Sequence, residues 1–363
     1  MTLPDERFYK TCARELTNWF EQNQRDLPWR KTRDPYAVLV SELMLQQTQV
    51  ERVKSYLSRW MERFPNVSAL AVSGEECVLA AWQGLGYYSR ARNLHKCAQT
   101  LLADGHETLP ADPDYLRRLP GVGPYTLGAV CSIAFEMPVP AVDGNVRRVF
   151  SRLLDLESDP TKKDGASQIE SAVKDILLRG QPHILTQAFM ELGATVCMPL
   201  MSCKCDECPV AALCSSLQNG TQSQRPVTER REKIIRRNGV ALLVGDPHTG
   251  WLVRRRHKGG LWSEFYEIPW TIGEEHEDFS TCLQKLRNEF GCSAPSKETG
   301  LEETLRFTHW QVCVRLWRTS LPENMPENTE LVPTAKLFEL PMPAGIRRLV
   351  SKALKKCHYL TNQ

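Results

Sequence analysis

The chain has 363 residues, which is long for one compact core and suits two domains. Hydrophobic residues make up 42% and charged residues 25%, so a wholly disordered chain is excluded. The formal net charge of +3 is too small to indicate a nucleic-acid partner by itself. The start of the chain, MTLPDERFYK, lacks the apolar run of a secretory signal, and no segment is apolar enough to span a bilayer. These features predict a soluble intracellular protein with no membrane partner.

Apolar residues recur every three or four positions in the first part of the chain, as in residues 8–19, which predicts helices. Residues 217–234 are polar and lack this periodicity, which predicts a linker. Apolar residues then alternate within 240–244, which predicts strands. The expected organisation is a mainly α-helical domain at 1–216, the linker, and an α+β domain at 235–363.

The segment LPGVGPYTLGAV has the composition of a tight turn between two helices. Gly121 and Gly123 flank Val122, and Pro124 suits the first turn of the second helix. Backbone N–H groups at such a turn, together with the positive end of the following helix, bind a phosphate without reading its base. An ordinary helix–helix turn is the alternative.

Two carboxyl groups lie in contrasting surroundings. Glu42 lies among apolar residues in AVLVSELMLQQTQV, and burial there would raise its pKa as a general acid at neutral pH requires. Asp143 directly precedes a periodic helical run, where capping donors would keep it ionised. One proton donor and one charged carboxylate form the pair that breaks glycosidic bonds. The alternatives are a solvent-exposed Glu42 and a purely capping role for Asp143.

The stretch CMPLMSCKCDECPVAALC contains five of the 13 cysteines. An odd total without a signal peptide argues against a disulfide framework. Four thiolates hold either a structural zinc ion or a [4Fe–4S] cluster, and spacing alone does not decide between them. The stretch is therefore predicted to bind a metal.

Several segments occur together in order: SELMLQQTQV, WQGLGYYSRARNLH, LPGVGPYTLGAV, VDGNVRRV, MELGA and the cysteine cluster. They resemble the MutY family of adenine DNA glycosylases, in the helix-hairpin-helix (endonuclease III-like) superfamily. GGLWSEFYEIP and the triplet at 307–309 resemble the Nudix-like C-terminal domain of that family. The resemblance implies a mainly α fold with a six-helix barrel and an iron–sulfur cluster subdomain, followed by an α+β Nudix-like domain that recognises the lesion.

The implied activity is hydrolysis of the N-glycosidic bond of adenine opposite 8-oxoguanine or guanine in double-stranded DNA, as a step of base excision repair. By the resemblance, Glu42 protonates the flipped adenine, Asp143 stabilises the oxocarbenium-like sugar, and Asn145 organises the attacking water. Tyr125 stands where bifunctional relatives carry a lysine. A phenol cannot form a Schiff base, so we expect a monofunctional enzyme.

Other implied contacts fall into four groups. Trp29, Arg30, Leu45 and Glu191 line the adenine pocket, and Gln47 and Tyr87 form a wedge beside the oxidised guanine. In the Nudix-like domain the lesion contacts are Phe307, Thr308 and His309. On the hairpin, Gly121, Val122 and Gly123 bind the DNA backbone, and further phosphate contacts are expected from Arg90, Arg92, Arg147 and Arg148.

The family pattern assigns a [4Fe–4S] cluster to Cys197, Cys205, Cys208 and Cys214. This assignment needs a one-residue loop insertion and leaves Cys203 without a ligand role. In the Nudix-like domain Glu289 alone remains of the carboxylates that hold magnesium in active hydrolases, so nucleotide hydrolysis is not expected.

Two other functions remain open from the sequence. One is a bifunctional pyrimidine-lesion glycosylase and lyase of the endonuclease III type, which Tyr125 disfavours. The other is a non-catalytic DNA-binding protein, which the pair of Glu42 and Asp143 disfavours. We expect a monomer in the bacterial cytoplasm, associated with the nucleoid through DNA, because no Arg-rich leader is present.

Overall fold

A computed structural model describes residues 5–199, 202–227, 234–256, 265–307 and 310–361. The chain forms two compact units, residues 1–230 and 231–363. Among the described residues, no helix has the length and apolar character needed to cross a membrane.

Helices build the first unit. They are α1 (Glu6–Asn23), α2 (Pro35–Leu45), α3 (Val50–Arg63), α4 (Val67–Ala71), α5 (Glu75–Trp82), α6 (Ser89–Ala103), α7 (Pro113–Leu116), α8 (Pro124–Phe135), α9 (Gly144–Leu153), α10 (Lys163–Leu177), α11 (Pro182–Thr195) and α12 (Ser215–Asn219). Side-chain caps start several of them. Asp34 caps α2, with Pro35 at its first position, and Asp143 caps α9.

The first unit has two hydrophobic cores. Helices α2 to α8 enclose one of them, with Trp60 and Trp82 among its largest buried side chains. The other lies among α1, α9, α10 and α11, where Phe150 meets Phe189 edge to face. The N-terminal helix therefore packs with the late helices rather than with those that follow it in sequence.

The predicted turn joins α7 to α8. Gly121 has a φ of 83°, and a Cβ there would meet the Cβ of Asn93 at 2.9 Å, so this position requires glycine. Gly123 caps α8 with extended backbone, and Pro124 begins the helix. The side chain of Val122 is buried, which leaves its main chain as the part that could meet a ligand.

The first half of the predicted linker belongs to the first unit. Asp155 forms an ion pair of 2.8 Å with Arg225 and accepts hydrogen bonds from Thr221 and Asn219. The polar composition of residues 217–225 therefore reflects hydrogen bonding to this carboxylate rather than an extended connection.

The second unit is a mixed sheet between helices. Its elements are β1 (Ile235–Asp246), β2 (Gly250–Arg255), β3 (Tyr266–Glu267), β4 (Trp270–Ile272), α13 (Phe279–Glu289), β5 (Lys297–Arg306), β6 (Trp310–Thr319), β7 (Thr329–Val332), α14 (Thr334–Leu337) and α15 (Ala344–Thr361). Strand β1 runs parallel to β6 and antiparallel to β2 and β4. Residues 240, 242 and 244 pack with α13, whereas 241 and 243 pack with α15. Because both faces of the sheet are covered, residues 240–244 of β1 are all apolar.

Candidate active site

A cavity of about 720 Å³ lies in the first unit, lined by residues of helices that enclose its two cores. The lining includes every catalytic, pocket and wedge residue that we predicted in this unit: Glu42, Tyr125, Asp143, Asn145, Trp29, Arg30, Leu45, Gln47, Tyr87 and Glu191. The structure thus brings together residues from α2, α8, α9 and α11 that are far apart in sequence.

Helix α2 presents one face to the cavity. Val38, Ser41, Glu42 and Leu45 line it, at the spacing of a single helical stripe. Glu42 is only 4% exposed, and burial raises its pKa to about 7 although the Tyr125 hydrogen bond lowers it. This carboxyl therefore holds its proton at a higher pH than an ordinary glutamate does.

Tyr125 on α8 contacts that carboxyl directly. Its hydroxyl donates a hydrogen bond of 2.5 Å to Glu42 Oε2. Burial, followed by the negative charge of Glu42, raises the pKa of Tyr125 well above its usual range. The side chain therefore remains a neutral phenol and a hydrogen-bond donor.

Asp143 lies at the start of α9 and faces the same cavity. Its Oδ1 accepts from Val146 N at 2.7 Å, and its Oδ2 accepts from Asn145 Nδ2 at 3.2 Å. The sequence predicted that capping donors would favour the ionised form of Asp143; these donors are present, and burial nevertheless raises its pKa. The nearby Asp143 also contributes to the raised pKa of Glu42, so the two carboxyls interact.

A third carboxylate of the cavity has the opposite character. Glu191 on α11 is fully buried and accepts hydrogen bonds from Arg25 Nε at 2.8 Å and Arg30 Nη2 at 2.7 Å. Burial alone would raise the pKa of Glu191, but the hydrogen bonds from the two arginines lower it to about 2. A fixed negative charge therefore lies in the cavity wall with two cations beside it.

Gln47 and Tyr87 lie in the same part of the cavity lining. The hydroxyl of Tyr87 donates to Gln47 Oε1 at 2.8 Å, and the Tyr87 side chain is 60% exposed. Both residues have left-handed backbone, with φ of 54° at Gln47 and 48° at Tyr87. Such strain in non-glycine residues persists only where surrounding contacts hold it, and it is frequent at ligand-binding sites.

Some predicted phosphate contacts have internal partners instead. Arg90 is 8% exposed and donates to backbone carbonyl groups, so the prediction that it binds phosphate is wrong. Arg148 donates to Cys197 O at 2.9 Å, to Gly193 O at 2.8 Å and to Asn145 Oδ1 at 2.9 Å. Arg92 forms an ion pair with Glu75.

The predicted cluster cysteines are near one another. Cys197, Cys205 and Cys214 each contribute to the raised pKa of the Cys208 thiol, after the larger effect of burial. Cys203 forms a hydrogen bond with Cys205. In the part of the chain that the structure describes, no group of three or more His, Cys, Asp or Glu side chains converges tightly enough to hold a metal ion. Arg152 Nη1 lies 3.3 Å from Cys197 Sγ and adds positive charge beside the thiols.

In the second unit, Glu289 has a cation as its partner. Arg254 donates to Glu289 Oε1 at 2.5 Å and to the buried Glu267 at 2.9 Å. Glu289 therefore lies in an ion pair with Arg254. Of the predicted lesion contacts, Phe307 is half-buried against the core, while Thr308 and His309 lie outside the described residues.

Comparisons with known proteins add to this geometry. Residues 40–175 match the model of HhH-GPD superfamily base excision DNA repair proteins, and residues 240–352 match a NUDIX domain model. The adenine DNA glycosylase of Buchnera aphidicola subsp. Baizongia pistaciae is 30% identical over 279 residues, which cover 77% of this chain and 77% of that relative. The chain belongs to the adenine DNA glycosylase family.

Other members of the adenine DNA glycosylase family are longer. The Rattus norvegicus enzyme is 42% identical over 220 residues, which cover 58% of this chain and 42% of that relative. The chain thus spans less than half the length of this relative. The solved structure of a thermostable thymine-DNA glycosylase is 24% identical with a TM-score of 0.54, and the match covers 59% of this chain and 98% of that one. These findings confirm the predicted fold, a helical helix-hairpin-helix domain followed by an α+β Nudix-like domain.

Several residues that line the cavity were not predicted from the sequence. Arg25, the main partner of Glu191, was one of them. On α11 the lining residues are Gln187, Met190, Glu191 and Ala194, at the spacing of one helical face. Extending that periodicity in both directions from Glu191 would have found them.

Proposed function

We propose that this protein is a monofunctional adenine DNA glycosylase of base excision repair that acts on adenine opposite 8-oxoguanine or guanine in double-stranded DNA. The observation that carries the proposal is the cavity shared by Asp143 and Glu42, whose pKa burial raises to about 7. A cavity of about 720 Å³ is large enough to receive a nucleobase swung out of the duplex.

The proposed reaction divides the work between the two carboxyls. Glu42 donates its proton to a ring nitrogen of adenine, so the electron pair of the breaking glycosidic bond leaves on a neutral base. Asp143 then stabilises the positive charge that develops on the sugar at C1′. Water attacks C1′ and forms a C–O bond, and its proton returns to a carboxylate. Asn145, which donates to Asp143 Oδ2, keeps that carboxylate oriented.

Tyr125 supports hydrolysis without a lyase step. The position carries a phenol that donates to Glu42, and a phenol cannot form the imine on which β-elimination depends. Borohydride should therefore fail to trap the protein on its product DNA. Efficient trapping would favour the bifunctional endonuclease III type of enzyme instead.

We also propose that the cysteine segment holds a [4Fe–4S] cluster. The donor set fits, because thiolates are the usual ligands of such clusters and four cysteines interact here. Cys197, Cys205, Cys208 and Cys214 would hold it, and it would supply a fixed, compact tether for the loop that follows α11. The four side chains do not converge on a single ion, and a cluster with several iron atoms needs its ligands farther apart.

The second unit is proposed to recognise the oxidised guanine through Phe307, Thr308 and His309. The hairpin at Gly121, Val122 and Gly123 is proposed to hold the DNA backbone. We predict that the protein acts as a monomer at the nucleoid of a bacterial cell.

Base release from defined duplexes tests the activity. Purified protein is incubated with DNA containing adenine opposite 8-oxoguanine, adenine opposite guanine, or an oxidised pyrimidine, and strand breaks are scored with and without alkali. We expect alkali-dependent breaks at adenine only. Breaks at the pyrimidine, or no breaks at all, would overturn the proposal.

The variant Asp143→Asn isolates the role of the charge. Asparagine caps a helix about as well as aspartate, so α9 should stay folded while base release is lost and DNA binding remains. Asp278→Asn is the matched control, since Asp278 caps α13 in the second unit by accepting from Thr281 N. It should leave base release unchanged.

A further inference from the structure

Arg90 is an unusual residue for the start of a helix. It lies in the first turn of α6, where the helix dipole disfavours a cation, and it is only 8% exposed. Burying a guanidinium is costly unless its donors are satisfied. Burial lowers the pKa of Arg90 to about 10, which still leaves it charged at neutral pH. The hydrogen-bond partners of the guanidinium therefore indicate the role of the side chain.

One nitrogen of Arg90 binds the end of α2. Nη1 donates to Leu43 O at 2.5 Å, to Met44 O at 3.0 Å and to Gln46 O at 2.5 Å. Leu43 O and Met44 O belong to the last turn of the helix, where carbonyl groups lack partners within the helix, and Gln46 is the residue that caps its end. The residue that follows Gln46 in the chain is Gln47, whose backbone is left-handed.

The other nitrogen binds a different segment. Nη2 donates to Leu85 O at 3.3 Å and to Gly86 O at 3.0 Å, directly before Tyr87. It also donates to Thr48 Oγ1 at 3.3 Å. The guanidinium carbon lies 5.5 Å from the centroid of the Tyr87 ring, a distance typical of a cation–π contact.

From these contacts we propose that Arg90 is a positioning residue that joins the two strained segments carrying Gln47 and Tyr87 and thereby sets the preference for the base opposite the adenine. Capping of α2 alone would use Nη1 only. The second set of acceptors, at Leu85 and Gly86, has no function in capping and fixes the distance between the two wedge residues. Tyr87 and Gln47 also contact each other directly, through their own hydrogen bond in the cavity.

This inference deepens the proposed function, because it rests on the proposed wedge role of Gln47 and Tyr87. It is tested by binding rather than by base release. The readout is the ratio of the Kd values for duplexes with adenine opposite thymine and adenine opposite 8-oxoguanine, measured in the Asp143→Asn background.

Arg90→Lys keeps the charge but offers a single compact ammonium, which cannot reach both segments at once. The variant loses the charge-assisted hydrogen bonds to one of the two segments, so we expect the preference to fall by about tenfold, the equivalent of one such bond. Arg59→Lys is the matched control. Arg59 is exposed on α3, donates to Ser55 O and lies over the ring of Tyr56, and its substitution should leave the ratio unchanged.

A double-mutant cycle separates positioning from general stability. In a background that carries both Gln47→Ala and Tyr87→Ala, Arg90→Lys should have no further effect on the ratio. An equal loss in both backgrounds would overturn the proposal. So would an unchanged ratio in Arg90→Lys, or a parent protein with no preference for 8-oxoguanine.

Thr48→Val gives a milder variant if Arg90→Lys does not fold. It retains the side-chain shape but removes one acceptor of Nη2, together with the long bonds of the Thr48 hydroxyl to Gln46 O at 3.4 Å and Leu85 O at 3.5 Å in the same two segments. It should lower the ratio in the same direction by less. An unchanged ratio in a folded Thr48→Val protein would contradict the inference. The base-release assay decides the proposed function separately.

Discussion

The hydroxyl of Tyr125 donates to Glu42 Oε2 at 2.5 Å, within the cavity that also contains Asp143. Because the bond favours the ionised carboxylate, it opposes the burial that raises the pKa of Glu42 to about 7. The phenol therefore adjusts how much of the Glu42 carboxyl is protonated at neutral pH.

Adenine release should depend on pH through Glu42. The proton donor is present below the pKa of about 7, so the single-turnover rate should be high there and fall about tenfold per pH unit above it. On the acid side the rate should fall as Asp143 becomes protonated, at a pH higher than for an ordinary aspartate because burial raises its pKa. A rate that increases from pH 7 to pH 9 would contradict the assignment of Glu42 as the acid.

Removing the phenol hydroxyl should move the basic limb of that profile. In Tyr125→Phe the carboxylate loses a donor to its charged form, so the pKa of Glu42 should rise, by about one unit for a hydrogen bond to a charged group. The basic limb then shifts to higher pH, while the acid limb set by Asp143 moves little. The same rate-versus-pH measurement, run on both proteins, checks this. A downward shift would mean that Tyr125 stabilises the protonated form.

The ion pairs of Glu191 should stabilise the first unit. Glu191→Ala leaves two cavity arginines without their partner, and breaking a buried pair costs about 3–5 kcal/mol. The folded pKa of about 2 lies below the ordinary value of 4.5, so this stability is present above pH 4.5 and is lost as the pH falls towards 2. Urea unfolding at pH 7 and pH 3 measures the difference.

The control for that experiment is Glu15→Ala, which breaks an exposed pair with Arg14. Its unfolding midpoint should stay close to that of the parent protein, because surface ion pairs contribute little. An equal loss in both variants would show that the burial of Glu191 is not what matters.

Iron content should distinguish the neighbouring cysteines. Protein isolated without air should contain the iron of one [4Fe–4S] cluster, with its visible absorption. Cys205→Ser should lose most of that iron, whereas Cys203→Ser should retain it, although the two thiols are hydrogen-bonded to each other. The opposite result would show that Cys203, and not Cys205, is the cluster ligand. A colourless protein that contains zinc would show that the cysteines hold a zinc ion and not a cluster.

The sequence predicted those features that depend on local pattern. The apolar neighbours of Glu42 indicated its burial, and the position of Asp143 before a helical run indicated a cap; both are found. The turn with Gly121 is found because its left-handed backbone has a direct sequence signature.

Features that depend on distant segments could not be predicted from local pattern. Arg25 and Glu191 are 166 residues apart, and the sequence near either residue does not indicate that the two interact. The basic run that contains Arg90 and Arg92 has the composition of a phosphate site, yet Arg90 turns inward because carbonyl groups of two other segments meet there. The raised pKa of Asp143 was also missed, because it depends on the cavity that residues of α2 and α8 line together with it.

Arg148 links the cysteine segment to Asn145, because one guanidinium donates both to the carbonyl of Cys197 and to the amide oxygen of Asn145. A displacement of the main chain at Cys197, such as oxidation of nearby thiols should produce, is therefore expected to shift this amide, which donates to Asp143. Redox damage at the surface of the first unit should then slow turnover while the fold is still intact.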